Sequence, residues 1–176
     1  MYKRQDLDKP TKDFSENFAM DKEEVISAMQ TGFDSVPSNC DLLVLGEMGI
    51  SNTTSASALS CALFNEKVEN MTGTGTGINN KQLENKMSVI KSALKLHGTE
   101  FTSTIKILSC FGGREISAIA GSIIAARLKS IPVLLDGFIC TAAASTLILF
   151  DENFLDHCLI SHLSTCLLYT SPSPRD

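Results

Sequence analysis

The chain has 176 residues, of which 43% are hydrophobic and 20% are charged, and its formal net charge is −5. This length corresponds to about one compact domain, and the near-average composition excludes a wholly disordered chain. The acidic balance and the absence of tryptophan exclude a basic, base-stacking surface, so we expect no nucleic-acid partner. No apolar stretch reaches the ~18 uncharged residues of a membrane span, so we also expect no membrane partner.

The six cysteines are widely separated and lie mostly in apolar runs. None of the paired cysteine or cysteine–histidine spacings of zinc sites occurs among them. Thiols in apolar runs behave as small hydrophobic side chains, and no segment resembles a secretory signal. We therefore predict a cytoplasmic protein that binds no metal and no other cofactor.

The two ends of the chain differ in composition from its middle. Residues 1–5 and 165–176 resemble translated sequencing-adapter ends, and we expect both to be non-native additions. Ordinary disordered termini are the alternative. Residues 6–164 are expected to form a single, partial α/β core.

Helical periods and short apolar runs alternate along this middle part. Asp21 and Glu24 have the spacing of a capping box, which opens an amphipathic helix with Val25, Ala28, Met29 and Phe33 on its apolar side. The apolar run 42–45 predicts a parallel strand buried on both faces, and the run 131–135 predicts a second strand. The remaining helical patterns cover residues 52–64, 81–96, 116–124 and 137–150.

This alternation of strand, helix and strand predicts βαβ units and therefore a parallel sheet. The predicted fold is α/β, a Rossmann-like parallel sheet with flanking helices in three αβα layers. Open parallel sheets bind ligands at the carboxyl ends of their strands. The loops after Leu45 and Leu135 are therefore the first places in which to seek a site.

The loop after the first strand, Gly46–Thr54, has the residues of an anion cradle. Its glycines allow close backbone approach, and a helix start at Asn52 offers amides and hydroxyls at a positive helix end. A plain Asn52 N-cap is the alternative. Glu47 is interpreted either as an acceptor for ribose hydroxyls or as a capping residue. The candidate binding residues of this loop are Gly46, Met48, Gly49, Asn52, Thr53 and Thr54.

A second glycine segment, 73–77, is followed by Lys86. Alternating glycines can expose successive N–H groups to a phosphate, and a lysine can add a point charge. The segment has neither the dinucleotide-binding spacing nor a Walker loop, and a flexible connection is the alternative. Its candidate binding residues are Gly73, Gly75, Gly77 and Lys86.

A third group, Asp136, Gly137 and Phe138, follows the second strand, where sugar or phosphate ligands are met. An Asp136 N-cap for the next helix is the alternative. Gly112-Gly113-Arg114-Glu115 opens another helix, in which first-turn Glu115 suits the helix dipole.

These loops together resemble one known family. The motifs LGEMGISNTT, GTGTGINN with Lys86 downstream, GGREISAIAG, PVLLDGF and the closing Ser161-His162-x-Ser164 are similar, in order and spacing, to the nicotinate-nucleotide–dimethylbenzimidazole phosphoribosyltransferase family of cobalamin nucleotide-loop assembly. The resemblance runs from about Phe18 to Ser164.

The resemblance implies transfer of the 5-phosphoribosyl group of nicotinate mononucleotide to 5,6-dimethylbenzimidazole, giving α-ribazole 5′-phosphate and nicotinate. It implies a homodimer in the full-length family member, without metal. It places Glu47 at the ribose and reacting centre as the catalytic residue of this chain, and Gly75, Gly77 and Lys86 at the phosphate. The other candidate substrate-binding residues are Asp136, Gly137 and Phe138, which follow the second predicted strand, and Ser161 of the closing motif.

The sequence also departs from this family. Ser51 stands where the family commonly has glycine or alanine, and Arg114 stands where it often has an apolar residue, so we expect loop or exposed positions for both. No glycine-flanked glutamate, the family's general base, follows Ser164. We therefore expect a central fragment, truncated at both ends, with impaired transfer. A non-catalytic phosphate- or nucleotide-binding α/β module is the alternative, and an NAD-dependent oxidoreductase is disfavoured by the glycine spacing.

Overall fold

The computed structural model describes residues 8–73 and 79–161. Within these ranges helices and strands follow one another in this order: α1 (Lys22–Ser35), β1 (Leu43–Gly46), α2 (Thr53–Phe64), α3 (Val68–Met71), α4 (Asn80–His97), α5 (Thr104–Phe111), α6 (Arg114–Leu128), β2 (Val133–Asp136), α7 (Phe138–Ser145) and β3 (Cys158–Ile160). A 3-10 turn, Thr146–Leu149, follows α7.

The three strands form one parallel sheet in the order β1-β2-β3. Leu43 is paired with Val133, and Val133 with Cys158. The predicted α/β class and parallel sheet are thus confirmed. Because Gly46 is paired with Asp136, β1 and β2 end side by side, and two of the predicted loops begin at the same edge of the sheet.

The two faces of the sheet differ in burial. Val133 and Leu135 of the central strand are buried in the core, whereas Val44 is 57% exposed and Leu159 is 64% exposed. Val44 and Leu159 are both paired with Leu134, so all three lie on the second face. The prediction that the run 42–45 is buried on both faces is therefore wrong. An apolar run signals strand propensity, but it cannot show whether a helical layer covers each face.

Helix α1 begins as its capping box predicts. Asp21 Oδ1 accepts from Glu24 N–H at 2.8 Å, and Glu24 Oε2 accepts from Asp21 N–H at 3.0 Å. The predicted apolar residues Val25, Ala28 and Met29 are buried. The stripe of spacing i, i+3, i+4 therefore faces the core as predicted.

Helices α1 and α6 cross at two glycines. A Cβ atom on Gly32 would lie 1.8 Å from the carbonyl oxygen of Ala118, and one on Gly121 would lie 1.9 Å from that of Met29. Ser122 Oγ donates to the carbonyl oxygen of Gly32 at 3.0 Å across the same crossing. The helices approach so closely that no side chain fits at either glycine.

Several elements were not predicted from the sequence. Helices α3 and α5 and strand β3 are short, and their apolar runs do not distinguish a helix from a strand. The predicted helix 137–150 is interrupted, because α7 ends at Ser145 and a 3-10 turn completes it. The segment before α1 is also ordered: Met20 is fully buried, and its N–H donates to the carbonyl oxygen of Ser109 at 3.2 Å.

The cysteines inside the core behave as the sequence predicts. Cys61 and Cys140 are buried, and burial is the main cause that raises the pKa of each thiol to about 12. These thiols stay protonated and fill apolar space. Among the helices in the described ranges, none is long and apolar enough to cross a membrane.

Candidate functional site

The carboxyl ends of the three strands are linked by hydrogen bonds. Ser161 N–H donates to the carbonyl oxygen of Leu135 at 3.0 Å, and Ser161 Oγ donates to Asp136 Oδ1 at 2.8 Å. Gly46 lies on the other side of Asp136. Three residues that the sequence analysis drew from distant motifs therefore share one edge of the sheet.

The alternative interpretation of Asp136 as an N-cap is wrong. The N-cap position of α7 is occupied by Gly137, which has a φ of +88° and no side chain to cap the helix. Phe138 is the first residue of α7 and is half-buried. Asp136 is the last residue of β2, and its carboxylate accepts a hydrogen bond from Ser161 Oγ at the carboxyl ends of the strands.

Glu47 turns back towards its own loop. The N–H of Gly49 donates to Glu47 Oε2, and Gly49 has a φ of +73°, a left-handed conformation that favours glycine. Met48, between them, is 80% exposed. The capping interpretation of Glu47 thus describes a real contact, and this contact holds the carboxylate in a defined position beside the strand end.

Glu47 and Asp136 lie near the same buried thiol. After burial, the negative charges of Glu47 and Asp136 are the next causes that raise the pKa of Cys140. Glu47 directly follows Gly46, which is paired with Asp136, so the two carboxylate residues stand at the ends of neighbouring strands, and α7 starts two residues after Asp136. Such a pair favours sugar hydroxyls or a developing positive charge.

Lys86 joins the two glycine segments. Its Nζ donates to Thr53 Oγ1 at 2.9 Å and to the carbonyl oxygen of Gly73 at 3.4 Å, and the residue is only 8% exposed. The family resemblance assigns both segments to one nucleotide, and the structure brings Thr53 and Gly73 together through Lys86. Gly75 and Gly77 lie outside the described residues. Asn79 forms a capping box with Gln82 at the start of α4.

Asn52 does not cap α2. It occupies the N-cap position in a right-handed helical conformation and makes no capping hydrogen bond with its side chain. Its Nδ2 instead donates to Glu115 Oε1 at 3.2 Å, while its Oδ1 is buried without a hydrogen-bond partner. The N-cap alternative for Asn52 is therefore wrong. Thr54 lies in the first turn of α2 and is half-buried.

Arg114 is not an exposed position, contrary to our expectation. Its side chain is 14% exposed and pairs with Glu24 at 2.5 Å, and its Nε donates to the carbonyl oxygen of Lys9. A cavity of about 560 Å³ adjoins it. Its lining includes Pro10 and Phe14, from the ordered segment before α1, and Asn52, from the loop 46–54. No periodic or motif signal in the sequence indicated this cavity.

The site thus has a cationic corner and an acidic edge. Thr53, at the end of the loop 46–54, contacts the Lys86 ammonium, while Glu47, near the start of that loop, lies with Asp136 at the strand ends. This arrangement suits a ligand with an anionic group at one end and hydroxyls at the other. In the part of the chain that the structure describes, no three His, Cys, Asp or Glu residues are grouped so as to hold a metal ion.

Comparison with known proteins shows the family of the chain. Residues 2–166 match the family model described as phosphoribosyltransferase. The chain belongs to this phosphoribosyltransferase family. The resemblance inferred from its five motifs is confirmed by curated relatives named nicotinate-nucleotide–dimethylbenzimidazole phosphoribosyltransferase. The relative from Ruegeria pomeroyi is 47% identical over 159 residues, and one from Cereibacter sphaeroides is 44% identical over the same length.

The similarity to this phosphoribosyltransferase family extends to structure. A crystal structure of the Thermus thermophilus protein with the same name superposes with a TM-score of 0.76 at 30% identity and covers 87% of this chain. The match covers 46% of that chain, and the two curated relatives are each covered over 47% of their length while 90% of this chain is aligned. The chain therefore spans about half the length of the relatives it matches.

Proposed function

We propose that this chain supplies the nucleotide-binding part of an enzyme of cobalamin biosynthesis. The reaction transfers the phosphoribosyl group of nicotinate mononucleotide to 5,6-dimethylbenzimidazole, giving α-ribazole 5′-phosphate and nicotinate. The family membership and the names of the relatives support this reaction. The single observation that carries the proposal is the Lys86 contact with Thr53 and Gly73.

In this proposal Lys86 receives the 5′-phosphate. A largely buried ammonium that already contacts a hydroxyl and a carbonyl is held in place, so it loses little further side-chain freedom when the phosphate binds. Thr53, Thr54, Gly73, Gly75 and Gly77 are the further phosphate-binding residues of this proposal, and Gly75 and Gly77 are included only because of the family resemblance. The phosphate then fixes the position of the ribose.

Glu47 and Asp136 act on the ribose end. In the reaction the bond between C1′ and the nicotinate nitrogen breaks, and its electron pair leaves with nicotinate. The unprotonated ring nitrogen of the benzimidazole forms the new bond to C1′, and the other ring nitrogen gives its proton to a base. Positive charge develops on the ribose in between, and the nearby carboxylate of Glu47 stabilises it. Gly46, Met48, Gly49, Asn52, Gly137, Phe138 and Ser161 complete the proposed substrate contacts.

The base that accepts the benzimidazole proton is not assigned within the 176 residues. Residues 165–176 contain no glycine-flanked glutamate. We therefore propose that the 176-residue chain binds nicotinate mononucleotide but transfers its phosphoribosyl group slowly. We further propose a cytoplasmic location and a homodimer for the full-length enzyme.

Titration calorimetry on the 176-residue chain tests the binding step. Nicotinate mononucleotide is expected to bind more tightly than nicotinate riboside, which lacks the phosphate, and more tightly than NAD. Equal affinity for the riboside would show that the phosphate contributes nothing to binding. Tighter binding of NAD would favour an oxidoreductase. Rapid formation of α-ribazole phosphate by this chain alone would contradict the expected impairment.

A pair of variants tests Glu47. Glu47→Gln can still accept the Gly49 N–H, but it removes the charge, whereas Glu47→Ala removes both. Both variants lack the carboxylate charge that stabilises the reacting ribose in this proposal. In the full-length enzyme, each is therefore expected to lower kcat by roughly a hundredfold. Wild-type kcat in Glu47→Gln would leave Glu47 with only the capping role.

A further inference from the structure

The start of α6 contacts the nucleotide loop through one side chain. Glu115, in the first turn of α6, accepts a hydrogen bond from Asn52 Nδ2 at 3.2 Å, although 63 residues separate the two. Asn52 directly precedes α2, whose first residue, Thr53, contacts Lys86. A chain of contacts therefore runs from α6 through Asn52 to the cationic corner.

The usual role of a first-turn glutamate does not require a contact with Asn52. A carboxylate near a helix start stabilises the helix dipole wherever it points within the first turn. The Glu115 carboxylate instead folds over Gly113, where a Cβ atom would lie 2.5 Å from Oε1, and reaches Asn52. Glu115 is half-buried, so the bond is shielded from competing water.

Asn52 depends on this bond because its side chain has no other anchor among the described contacts. It makes no capping bond to α2, and its Oδ1 is buried without a partner. The preceding residues Gly49 and Ser51 both have a left-handed φ, so the loop turns sharply just before Asn52. A side chain fixed at Asn52 therefore sets where this turn ends and where α2 begins.

We infer that Glu115 is a positioning residue for the nucleotide site: it holds Asn52 and thereby fixes the loop 46–54 relative to Lys86. The ligand in this inference, nicotinate mononucleotide, rests on the proposed function. Glu115 touches no substrate in this scheme. Its effect on binding passes entirely through Asn52.

Two variants separate the effect of side-chain length at position 115 from the effect of charge. Glu115→Asp keeps the negative charge at the start of α6. Its side chain is one methylene shorter, so it loses the hydrogen bond from Asn52 Nδ2. Glu115→Gln loses the charge, yet its amide can accept from Asn52 Nδ2 and donate to the unpartnered Asn52 Oδ1. In calorimetry on the 176-residue chain, Glu115→Asp is expected to raise the Kd for nicotinate mononucleotide roughly tenfold and Glu115→Gln to leave it within about twofold.

The reverse order, with Gln weakening binding and Asp preserving it, would show that the charge matters and would overturn the inference. Wild-type affinity in both variants would overturn it as well. Glu23→Ala is the matched control, because Glu23 is an exposed first-turn glutamate of α1 and the described hydrogen bond of Asn52 goes to Glu115 instead. Its Kd is expected to equal that of the wild type.

A double-mutant comparison tests the route through Asn52. If Glu115 acts only by holding Asn52, Glu115→Asp has no further effect on Kd in an Asn52→Ala background. A full additional weakening there would contradict the inference, because Glu115 would then act by another path.

Amide hydrogen exchange tests the same inference without a ligand. The amides of residues 49–54 are expected to exchange roughly tenfold faster in Glu115→Asp and at the wild-type rate in Glu115→Gln. Unchanged exchange in Glu115→Asp would overturn the inference. If the wild-type chain binds no nicotinate mononucleotide, the proposed function fails, and this measurement still decides the role of Glu115.

Discussion

The Lys86 ammonium lies 2.9 Å from Thr53 Oγ1, and the two residues come from helices that start 27 positions apart, α4 at Asn80 and α2 at Thr53. The same ammonium reaches the carbonyl oxygen of Gly73 at 3.4 Å. One buried cation thus holds together the two glycine segments that the sequence analysis had singled out. The position of this cation is the centre of the proposed site.

Replacing Lys86 by methionine keeps the aliphatic stem and removes the charge. We expect Lys86→Met to raise the Kd for nicotinate mononucleotide at least about tenfold, because hydrogen bonds to charged groups contribute about 1.5–3 kcal/mol. The Kd for nicotinate riboside should change much less. Calorimetry on the chain, well below its unfolding temperature, measures both.

Lys91→Met is the matched control in the same helix. Lys91 is 57% exposed and pairs with Glu69 on the surface, where such pairs contribute about 0–1 kcal/mol. Its loss should leave the Kd for the nucleotide within about twofold. A similar weakening in both variants would show that the overall positive charge of α4, rather than the cationic corner at Lys86, attracts the ligand.

Ser51 holds a strained backbone conformation in the proposed site. Its φ is +68°, in the left-handed region, and its side chain is exposed. We expect Ser51→Gly to raise the free energy of unfolding by about 0.5–1 kcal/mol, because glycine adopts this conformation without the Cβ clash. Urea denaturation of Ser51→Gly and Ser51→Ala compares the two, and a gain in the alanine variant alone would contradict this explanation.

Gly121 is required by the crossing of α1 and α6. A Cβ atom there would lie 1.9 Å from the Met29 carbonyl oxygen, which is backbone and cannot rotate away. We expect Gly121→Ala to lower the free energy of unfolding by about 2–3 kcal/mol. Gly46→Ala is the control, since the nearest atom to its Cβ would be 3.9 Å away and its stability should change little. Equal stability of the two variants would refute the close crossing.

His157 makes the stability of the fold sensitive to acid. Burial lowers the pKa of His157 below its ordinary value of 6.5, and the positive charge of Arg127 lowers it further, against the hydrogen bond to the Ile123 carbonyl. The unfolded chain therefore takes up this proton more readily than the folded chain. The contribution of His157 to stability is complete above about pH 6.5 and declines as the pH falls from there towards the folded-state pKa.

Denaturation midpoints at several values between pH 7.5 and pH 5 measure this effect. In His157→Gln, the side-chain amide can still donate to the Ile123 carbonyl oxygen but does not titrate in this range. The variant should therefore lose less stability than the wild type over the same interval. An identical pH dependence would assign the acid sensitivity to other groups.

Much of the fold follows from local patterns that the sequence displays directly. The capping box of Asp21 and Glu24, the apolar stripe of α1 and the two longer strands are confirmed, because each depends on residues a few positions apart. The short elements α3, α5 and β3 were missed because so local a pattern needs more residues than they have. With three to eight residues each, they are too short for the apolar period to separate a helix from a strand.

The candidate site divides in the same way. Glycine spacing and strand-end position pointed to the loops around Gly46, Gly73 and Asp136, since parallel strands place their carboxyl ends together. Only the tertiary structure showed that Lys86 joins Thr53 to Gly73, that Asn52 bonds Glu115 rather than capping α2, and that Val44 and Leu159 lie on an exposed sheet face. These relationships depend on how whole helices pack against the sheet, and helix packing brings together residues whose separation along the chain carries no periodic signal.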